Sequence, residues 1–389
     1  MKTYQMKPIH DKSIAIVGGG PGGLTLARLL QMNGADVKVY ERDENRSVRV
    51  QGATLDLHYD SGLKALTKAG LMDEFKANYR PGADKMCLTD KDANIIYEDD
   101  FAMDDNNELA RPEIDRGPLR EILLDSLLPG TVIWDCNFAS LTEQNNAFRL
   151  EFKNGMDAFA DIVIAADGAN SKIRPYITPI KPFYSGMTAL EGTVYHSEKA
   201  TPNIHKLLNG GKIFALGDGR SLIVSSKGDG SLAFYMGFNT DESWAKDSGI
   251  DFSDNKHVLA WFKKEFTGWA DIWDELFENS AMFIPRPQYC MPFDQNWVAL
   301  PNLTMLGDAA HLMPPYAGEG VNMAMLDALE LAECLLDENY RNAHSAIAAY
   351  EKQMRLRASE TAQMTMEQTA ALHSPEGLQH MLGMFQQNG

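Results

Sequence analysis

The first strong pattern in the chain is a short apolar run followed by a glycine-rich turn and a helix. Residues 13–17 are mostly apolar and β-branched, as expected of a buried parallel strand. The turn has the sequence GGGPGG at residues 18–23, and residues 24–32 are typical of a helix. A second strand is predicted at residues 36–40, directly before Glu41. This order predicts the first unit of a parallel α/β sheet.

Two later segments repeat the pattern of a short apolar strand that continues into a polar turn. Residues 161–166 run into Asp167, and residues 303–306 run into Gly307 and Asp308. Both are predicted to be further strands of the same parallel sheet. Other helices are predicted at residues 61–69, 114–124, 320–336 and 340–369.

Between these segments the pattern changes to alternating apolar and polar residues, separated by turns rich in glycine, aspartate and asparagine. Strands are predicted at residues 188–196, 212–216, 221–225, 231–238 and 281–286, with a hairpin earlier at residues 86–97. Such alternation is typical of a mostly antiparallel sheet. Because a parallel-type strand returns at residues 303–306, we predict that this sheet is inserted into a discontinuous α/β domain.

The composition limits the partners and the setting of the chain. Its 389 residues are too many for one simple core, so two domains are expected. The formal net charge of −18 disfavours nucleic acid and anionic membranes as partners. No apolar run reaches the length of a membrane span, about 18 residues. The four cysteines are far apart and the histidines form no metal-binding motif, so we expect a cytoplasmic protein without a disulfide framework or metal site.

The glycine-rich turn carries the first chemical signal. Gly18, Gly20 and Gly23 have the spacing of a dinucleotide-binding turn, in which small residues let a pyrophosphate approach the backbone. The following helix would offer unpaired N–H groups to phosphate. Glu41 stands where an acid accepts hydrogen bonds from ribose hydroxyls. The alternative interpretation is a tight strand-to-helix turn that binds no ligand.

Three motifs thus stand in order: the glycine turn, the Asp-Gly pair at 167–168 with Arg174, and the Gly-Asp pair at 307–308. As a set they resemble the single-component flavoprotein monooxygenases of the aromatic-hydroxylase group. Within that group the chain is most similar to the tetracycline-inactivating flavin monooxygenases. The segments that carry this similarity are residues 52–58, 114–124 and 307–322.

The resemblance implies an α/β fold with a Rossmann-like FAD-binding domain, an inserted, mostly antiparallel substrate-binding sheet and C-terminal helices. The expected bounds are residues 1–80, 104–177 and 300–338 for the FAD-binding domain, 81–103 and 178–299 for the substrate-binding domain, and 339–389 for the C-terminal helical segment.

The resemblance also implies roles for individual residues. Glu41 would hold the adenosine ribose, Asp308 would bond the ribityl chain, and the start of the long helix would face the flavin ring. The expected cofactor contacts are Gly18, Gly20, Gly23, Glu41, Arg42, Arg49, Arg116, Asp167, Asp308, Gly318, Gly320, Val321 and Asn322. The expected substrate contacts are His58, Glu191, Lys212, Phe214, Met313 and Pro315. We assign no catalytic acid or base, and His311 is expected to be structural.

The chain departs from the tetracycline-inactivating enzymes at several positions. Glu319 stands where glutamine is usual, which adds charge near the flavin ring. Glu191, Lys212 and Ala233 stand where those enzymes hold the drug through glutamine, arginine and histidine. These differences concern the substrate and not the flavin chemistry, so a tetracycline is one candidate substrate.

The implied activity is that of a FAD-dependent monooxygenase. NADPH or NADH would supply the hydride, and O2 would supply the oxygen atom inserted into an electron-rich, phenol- or enol-like small molecule of aromatic or polyketide type. We expect a monomer. Two alternatives stay open: a FAD-dependent reductase or dehydrogenase without oxygen transfer, and a flavoprotein that sequesters a ligand without turnover.

Overall fold

The computed structural model describes residues 7–48, 54–98 and 111–388, with side chains described as far as residue 386. In chain order its strands are β1 (Ser13–Val17), β2 (Asp36–Tyr40), β3 (Leu55–Asp56), β4 (Met86–Asp90), β5 (Ile95–Glu98), β6 (Glu113–Ile114), β7 (Val132–Ile133), β8 (Phe138–Gln144), β9 (Ala147–Phe152), β10 (Asp157–Ala160), β11 (Ile162–Ala165), β12 (Phe183–Val194), β13 (Lys212–Gly217), β14 (Arg220–Ser226), β15 (Leu232–Asn239), β16 (Met282–Cys290) and β17 (Leu303–Met305). Its helices are α1 (Pro21–Met32), α2 (Gly62–Ala69), α3 (Met72–Asn78), α4 (Arg116–Asp125), α5 (Arg174–Ile177), α6 (Ser197–Ala200), α7 (Pro202–Leu208), α8 (Trp244–Asp247), α9 (Asn255–Glu265), α10 (Asp274–Asn279), α11 (Asp308–His311), α12 (Gly320–Leu336), α13 (Ala343–Leu372) and α14 (Gly377–Asn388). Short 3₁₀ turns lie at Asp271–Trp273 and Pro315–Ala317.

A five-stranded sheet with the order β17-β11-β1-β2-β7 contains the strands of the three motifs. Each of its pairings is parallel. Strands β1, β11 and β17 are almost wholly buried, which explains why they appear in the sequence as continuous apolar runs. The prediction that these separated runs share one parallel sheet is confirmed.

Parallel pairing determines where the three motifs lie. The carboxyl ends of neighbouring parallel strands meet at one edge of a sheet, and β17, β11 and β1 are neighbours. The glycine turn, the Asp167 turn and the Asp308 turn therefore leave the sheet at the same edge. We call this edge, with the three turns that follow β1, β11 and β17, the motif edge.

Helix α1 packs closely against α12 at the motif edge. A Cβ built on Gly22 would lie 2.8 Å from Leu306 Cδ1 and 2.9 Å from Ala324 O, so only glycine permits this approach. The helix begins at Pro21, earlier than the apolar pattern predicts, with Gly20 at its N-cap. Proline is tolerated there because its missing N–H would have no partner within the helix.

A seven-stranded sheet has the order β16-β12-β15-β14-β13-β4-β5. Its pairings are antiparallel except that of β13 with β4. The predicted mostly antiparallel sheet is confirmed, and the predicted hairpin forms strands β4 and β5 at its edge. Two smaller sheets are also present: β10-β9-β8, and the pair β3-β6 in which Asp56 lies opposite Glu113.

The two faces of the seven-stranded sheet differ in character. One face packs against α7, α9 and α10 through buried apolar side chains, including Leu190, Leu222 and Phe234. Successive side chains of a strand point to opposite faces, so the residues between these lie on the other side. We call that side the front face, defined by Glu191, Lys212, Phe214, Ile223 and Tyr235, which the strand register places on one side.

Helix α14 covers part of the front face. The ring of Phe385 packs against Phe214 and Tyr97, with centroids 6.0 and 5.4 Å apart, and Met381 joins the same apolar cluster. The sequence predicted a helical C-terminal segment but did not separate α14 from α13. The apolar residues of α14 therefore have a partner that becomes visible only in three dimensions.

Replacing Gly192 with alanine tests the packing between β12 and β15. Gly192 lies opposite Phe234, and a Cβ there would collide with the buried Phe234 ring. We expect Gly192→Ala to lower the free energy of unfolding by about 1–3 kcal/mol in urea titrations, because the ring must leave its preferred position. The control is Gly383→Ala in α14, where nothing lies within 4 Å, and this change should be neutral or stabilising. Equal losses at the two positions would contradict the packing argument.

Candidate active site

The glycine turn is pressed against the end of β11. Gly18 has a φ of +113°, and a Cβ on it would collide with Ala166 O. A Cβ on Gly23 would collide with Gly18 O, whereas Gly20 has nothing within 4 Å. Two of the three motif glycines are thus required by the backbone itself. The third borders open space at the N-terminus of α1, where a phosphate could approach.

Glu41 is 2% exposed and holds the glycine turn in place. Its Oε2 accepts a hydrogen bond of 2.5 Å from the backbone N–H of Gly19, and its Oε1 accepts one of 3.0 Å from Asp43 N–H. The sequence predicted a ribose contact for this residue. The structure shows that its carboxylate organises the turn that leads into α1. The neighbouring Arg42 is exposed, and Arg49 lies outside the described residues.

Asp167 lies beside the glycine turn, and its two carboxylate oxygens differ in their hydrogen bonding. Its Oδ2 accepts a hydrogen bond of 2.7 Å from Lys172 N–H. Its Oδ1 is buried and has no hydrogen-bond partner within the described ranges. Burial raises the pKa of this carboxyl group, with backbone and Ser171 hydrogen bonds offsetting only part of the effect. An unsatisfied buried acceptor of this kind is expected where a ligand supplies the missing donor.

Asp308 lies at the motif edge as the first residue of α11. Its side chain is accessible to solvent, yet protein atoms surround it closely enough that burial raises the pKa of its carboxyl group. Arg116, the first residue of α4, contributes a positive charge that partly offsets this effect. The Nε of Arg116 is itself buried without a hydrogen-bond partner in the described part of the chain. Two residues predicted to contact the cofactor, Arg116 and Asp308, are therefore close enough for the charge of Arg116 to affect the pKa of Asp308.

The start of α12 is fastened to the segment around β3. Asn322 is fully buried; its Oδ1 accepts a hydrogen bond of 2.9 Å from His58 N–H, and its Nδ2 donates one of 2.9 Å to Asp56 O. Gly318 has a φ of +71° and lies against the Asp56 carboxylate. Nothing lies within 4 Å of a Cβ built on Gly320. Asn322 thus positions the helix start, while the neighbouring Gly320 leaves space in front of it.

A cluster of charged residues lies beside this helix start. His58 Nε2 is 3.2 Å from Asp56 Oδ2, and His58 Nδ1 is 3.6 Å from Glu319 Oε1. On the opposite side of β3, Glu113 of β6 accepts a hydrogen bond from Lys212 Nζ of the front face. We call these five residues, Asp56, His58, Glu113, Lys212 and Glu319, the charged cluster. It joins the motif edge to the front face.

The pKa values in the charged cluster diverge. Burial would raise the pKa of Asp56, but the His58 hydrogen bond and the charges of Lys212 and Arg111 outweigh burial and lower it. Burial raises the pKa of Glu113, and the positive charge of Lys212 offsets only part of this effect. Burial likewise raises the pKa of Glu319. The site therefore contains carboxyl groups whose pKa values are shifted in opposite directions, as is often found in functional clefts.

Arg174 joins the second and third motifs directly. Its Nη1 donates hydrogen bonds of 2.6 and 2.8 Å to the carbonyl oxygens of Ala309 and Ala310, and its Nη2 donates one of 2.7 Å to Gln295. Burial lowers the pKa of Arg174 to about 10. The sequence showed Arg174 only as the end of the Asp-Gly motif. Its partners, which come from far along the chain, could not be predicted.

His311 has a structural environment, in agreement with the sequence analysis. Its Nε2 lies 2.5 Å from Asp327 Oδ2, and both side chains are buried. Asp327 also accepts a hydrogen bond of 2.9 Å from Gly307 N–H and one of 2.6 Å from Arg357 Nη2. The network fastens the Gly-Asp turn to α12 and α13.

The remaining predicted substrate residues fall into two groups. Glu191, Lys212 and Phe214 share the front face, and Glu191 accepts a hydrogen bond of 2.8 Å from Arg286 Nε. Met313 instead is buried in a small cluster with Cys290, and Pro315 is exposed at the start of a 3₁₀ turn. The structure therefore brings the strand residues together, while Met313 packs in the protein interior.

A second contact of the front face, with the end of α13 and the 3₁₀ turn before α12, was missed in the sequence. Ser221 Oγ lies 2.9 Å from His373 Nε2, and His373 Nδ1 lies 2.7 Å from Thr369 O. The Tyr316 ring packs edge-on against His373, with centroids 4.8 Å apart. A Cβ on Gly237 would collide with the Tyr316 hydroxyl group. The signal in the sequence was this strand glycine, which marks a close approach of another segment.

Comparison with known proteins agrees with this geometry. A family model described as an FAD binding domain matches residues 11–365. The chain belongs to the FAD binding domain family. It is 28% identical over 375 residues to the monooxygenase asqM of Emericella nidulans, covering 83% of each chain.

Solved structures show the same fold. Klebsiella pneumoniae HpxO, in complex with FAD and uric acid, superposes with a TM-score of 0.76 at 21% identity, over 97% of this chain and 92% of HpxO. The tetracycline destructase Tet(55) gives a TM-score of 0.73 at 18% identity, over 98% and 97% of the two chains. The predicted family, the α/β FAD-binding fold, FAD as cofactor and the enzyme class of flavin-dependent monooxygenase are confirmed.

None of the helices in the described ranges is both long and apolar enough to cross a lipid bilayer.

Substitution of two motif glycines separates what the fold requires from what the cofactor requires. We expect Gly23→Ala to destabilise the protein by more than about 1 kcal/mol, since its Cβ would collide with Gly18 O. Gly20→Ala meets no atom, so its unfolding free energy without FAD should stay within about 1 kcal/mol of the wild type. Its FAD dissociation constant should nevertheless rise about tenfold, because the methyl group occupies the phosphate approach. Unfolding titrations and FAD fluorescence measure the two effects. Normal FAD affinity in Gly20→Ala would contradict the assignment.

The contact between His373 and Ser221 predicts a dependence of stability on pH. Burial lowers the pKa of His373 below its ordinary value of 6.5, and the Thr369 hydrogen bond offsets only part of this. As the pH falls through 6.5, the unfolded chain binds the proton first, so the free energy of unfolding must fall. We expect His373→Gln to reduce the slope of stability against pH between about pH 7 and pH 5. The exposed His257 provides the control, because His257→Gln should leave the slope unchanged.

Proposed function

We propose that the protein is an NAD(P)H-driven hydroxylase that inserts one oxygen atom from O2 into an electron-rich, phenol- or enol-like small molecule. The observation that carries the proposal is the convergence of three motifs at the motif edge, with polar groups that the protein leaves unsatisfied. Asp167 Oδ1 and Arg116 Nε are both buried without partners in the described part of the chain. The open side of Gly20 and the exposed Asp308 lie at the same edge of the sheet.

These residues fit FAD. The N-terminus of α1 and the open side of Gly20 would receive the pyrophosphate, since backbone N–H groups there are free to bind anions. Glu41 would hold the adenosine ribose next to the turn that it already organises. Arg116 and Asp308 would bind the chain between pyrophosphate and ring. The start of α12, including Gly318, Gly320, Val321 and Asn322, would border the flavin ring.

The bound FAD would supply hydride acceptance and oxygen activation. The protein's own residues would bind, orient and exclude water. The front face would form one wall of the substrate site, because Lys212 on this face bonds to Glu113 of β6, and Gly237 of β15 lies against Tyr316 in the 3₁₀ turn that precedes α12. Helix α14 would close one side through Phe385. Water exclusion favours oxygen transfer over unproductive side reactions in such sites.

The proposal keeps the domain division predicted from the sequence. Residues 1–80, 104–177 and 300–338 would bind FAD, residues 81–103 and 178–299 would bind the substrate, and residues 339–389 would add the C-terminal helices. The pairing of β4 with β13 supports the assignment of the early hairpin to the substrate side. The substrate itself is a small molecule, and a tetracycline is retained as a test substrate because Tet(55) shares the fold.

The test is oxidation of NADPH and NADH by the purified, FAD-loaded protein, with and without tetracycline. We expect substrate to accelerate NAD(P)H oxidation and oxygen uptake, and to give a product heavier by one oxygen atom derived from isotope-labelled O2. Catalase distinguishes peroxide release from oxygen insertion. Oxidation without an oxygenated product, for tetracycline and for simple phenols alike, would instead favour a reductase. Absence of NAD(P)H oxidation by the FAD-loaded protein would overturn the proposal and favour ligand sequestration.

A further inference from the structure

Glu113 forms an ion pair with Lys212, the lysine among the predicted substrate residues. Lys212 lies on the front face, and its ammonium group donates a hydrogen bond to Glu113 Oε1. Both side chains are mostly buried, with 2% of the Glu113 side chain and 14% of the Lys212 side chain exposed. An ion pair withdrawn from water in this way is hard to separate, because removal of one partner leaves an uncompensated buried charge.

We infer that Glu113 determines substrate specificity by neutralising Lys212, so that the site selects uncharged aromatic substrates over aromatic carboxylates. The inference rests on the proposed function, because it assumes that the front face borders the substrate. Recognition of a carboxylate ordinarily needs a cation that is free to form a charge-assisted hydrogen bond. Here the buried cation of the front face is already committed to a carboxylate of the protein.

The other charges around the front face act in the same direction. Arg286, which lies beside Glu191 on this sheet, is paired with that glutamate at 2.8 Å. The charged cluster adds two further carboxyl groups, Asp56 and Glu319, within contact distance of His58. Arg111 lies 3.8 Å from Asp56, so the arginines beside the front face and the charged cluster are, like Lys212, already paired with carboxylates of the protein. A cation that is paired in this way is less available to a substrate anion than a free one.

A purely structural role for the ion pair makes a different prediction. If the Lys212–Glu113 contact only held the sheet to the motif edge, its removal would weaken binding of every ligand in proportion. The specificity role instead predicts a change in the ratio between a charged ligand and an uncharged ligand of the same shape. This ratio is independent of how much FAD-loaded protein is active.

The experiment compares 4-hydroxybenzamide with 4-hydroxybenzoate, which have similar shapes and differ in charge at neutral pH. Dissociation constants come from the change that each phenol causes in the flavin absorption spectrum of the FAD-loaded protein. We expect the wild type to bind the amide at least about tenfold more tightly than the carboxylate. Glu113→Gln should free Lys212 and tighten carboxylate binding by about tenfold or more, with a smaller effect on the amide.

Two further variants complete the test. The double variant Glu113→Gln with Lys212→Met should lose the gain in carboxylate binding, because the released cation is removed. The surface variant Glu367→Gln removes the same charge from an exposed position of α13 and should leave the ratio unchanged. Thermal unfolding and FAD content identify any variant that fails to fold, and the wild-type ratio stands on its own in that case.

Three results would overturn the inference: equal or tighter binding of the carboxylate by the wild type, an unchanged ratio in Glu113→Gln, or no saturable binding of either phenol. The proposed function is judged separately, by NAD(P)H oxidation and oxygen incorporation. An enzyme that hydroxylates aromatic carboxylates would keep the proposed function and refute the role of Glu113.

Discussion

The candidate site is built around the close approach between the glycine turn and the end of β11. Gly18 lies so near Ala166 that no side chain fits between them, and Gly23 lies equally near Gly18. Parallel pairing of β1 with β11 sets this distance, because Val17 and Ala165 end their strands side by side. The glycine turn is thus held by the sheet beneath it, through contacts within the protein itself.

Buried polar side chains then hold the other two motifs against the first. Arg174 donates to the carbonyl oxygens of α11, and Asp327 accepts hydrogen bonds from the Gly-Asp turn and from α13. A buried charge costs free energy unless it is paired and hydrogen-bonded, and both of these groups have several partners. Such groups define one arrangement of the turns more strictly than apolar packing could. Rigid support of this kind is what a site needs in order to hold a cofactor in one orientation.

The contacts described above connect the front face to the rest of the site at two places. Lys212 reaches Glu113 on one side, and Tyr316 reaches Gly237 and His373 on the other. Between these contacts the front face is lined by residues such as Ile223 and Tyr235, with α14 packed over Phe214. The motif edge is therefore fastened by buried hydrogen bonds, whereas the front face carries the predicted substrate residues Glu191, Lys212 and Phe214.

Local periodicity and glycine spacing were enough to predict the parallel sheet, the mostly antiparallel sheet and the three motifs, and to indicate that His311 is structural. The side chains that meet across long separations became known from the folded structure alone: Arg174 with α11, Asn322 with His58, and Lys212 with Glu113. No periodicity specifies these pairs, since each partner is a polar residue whose local pattern fits a surface equally well. The same reason explains why Glu41 and Asn322 were assigned cofactor roles alone, although their side chains also hold the backbone of the site together.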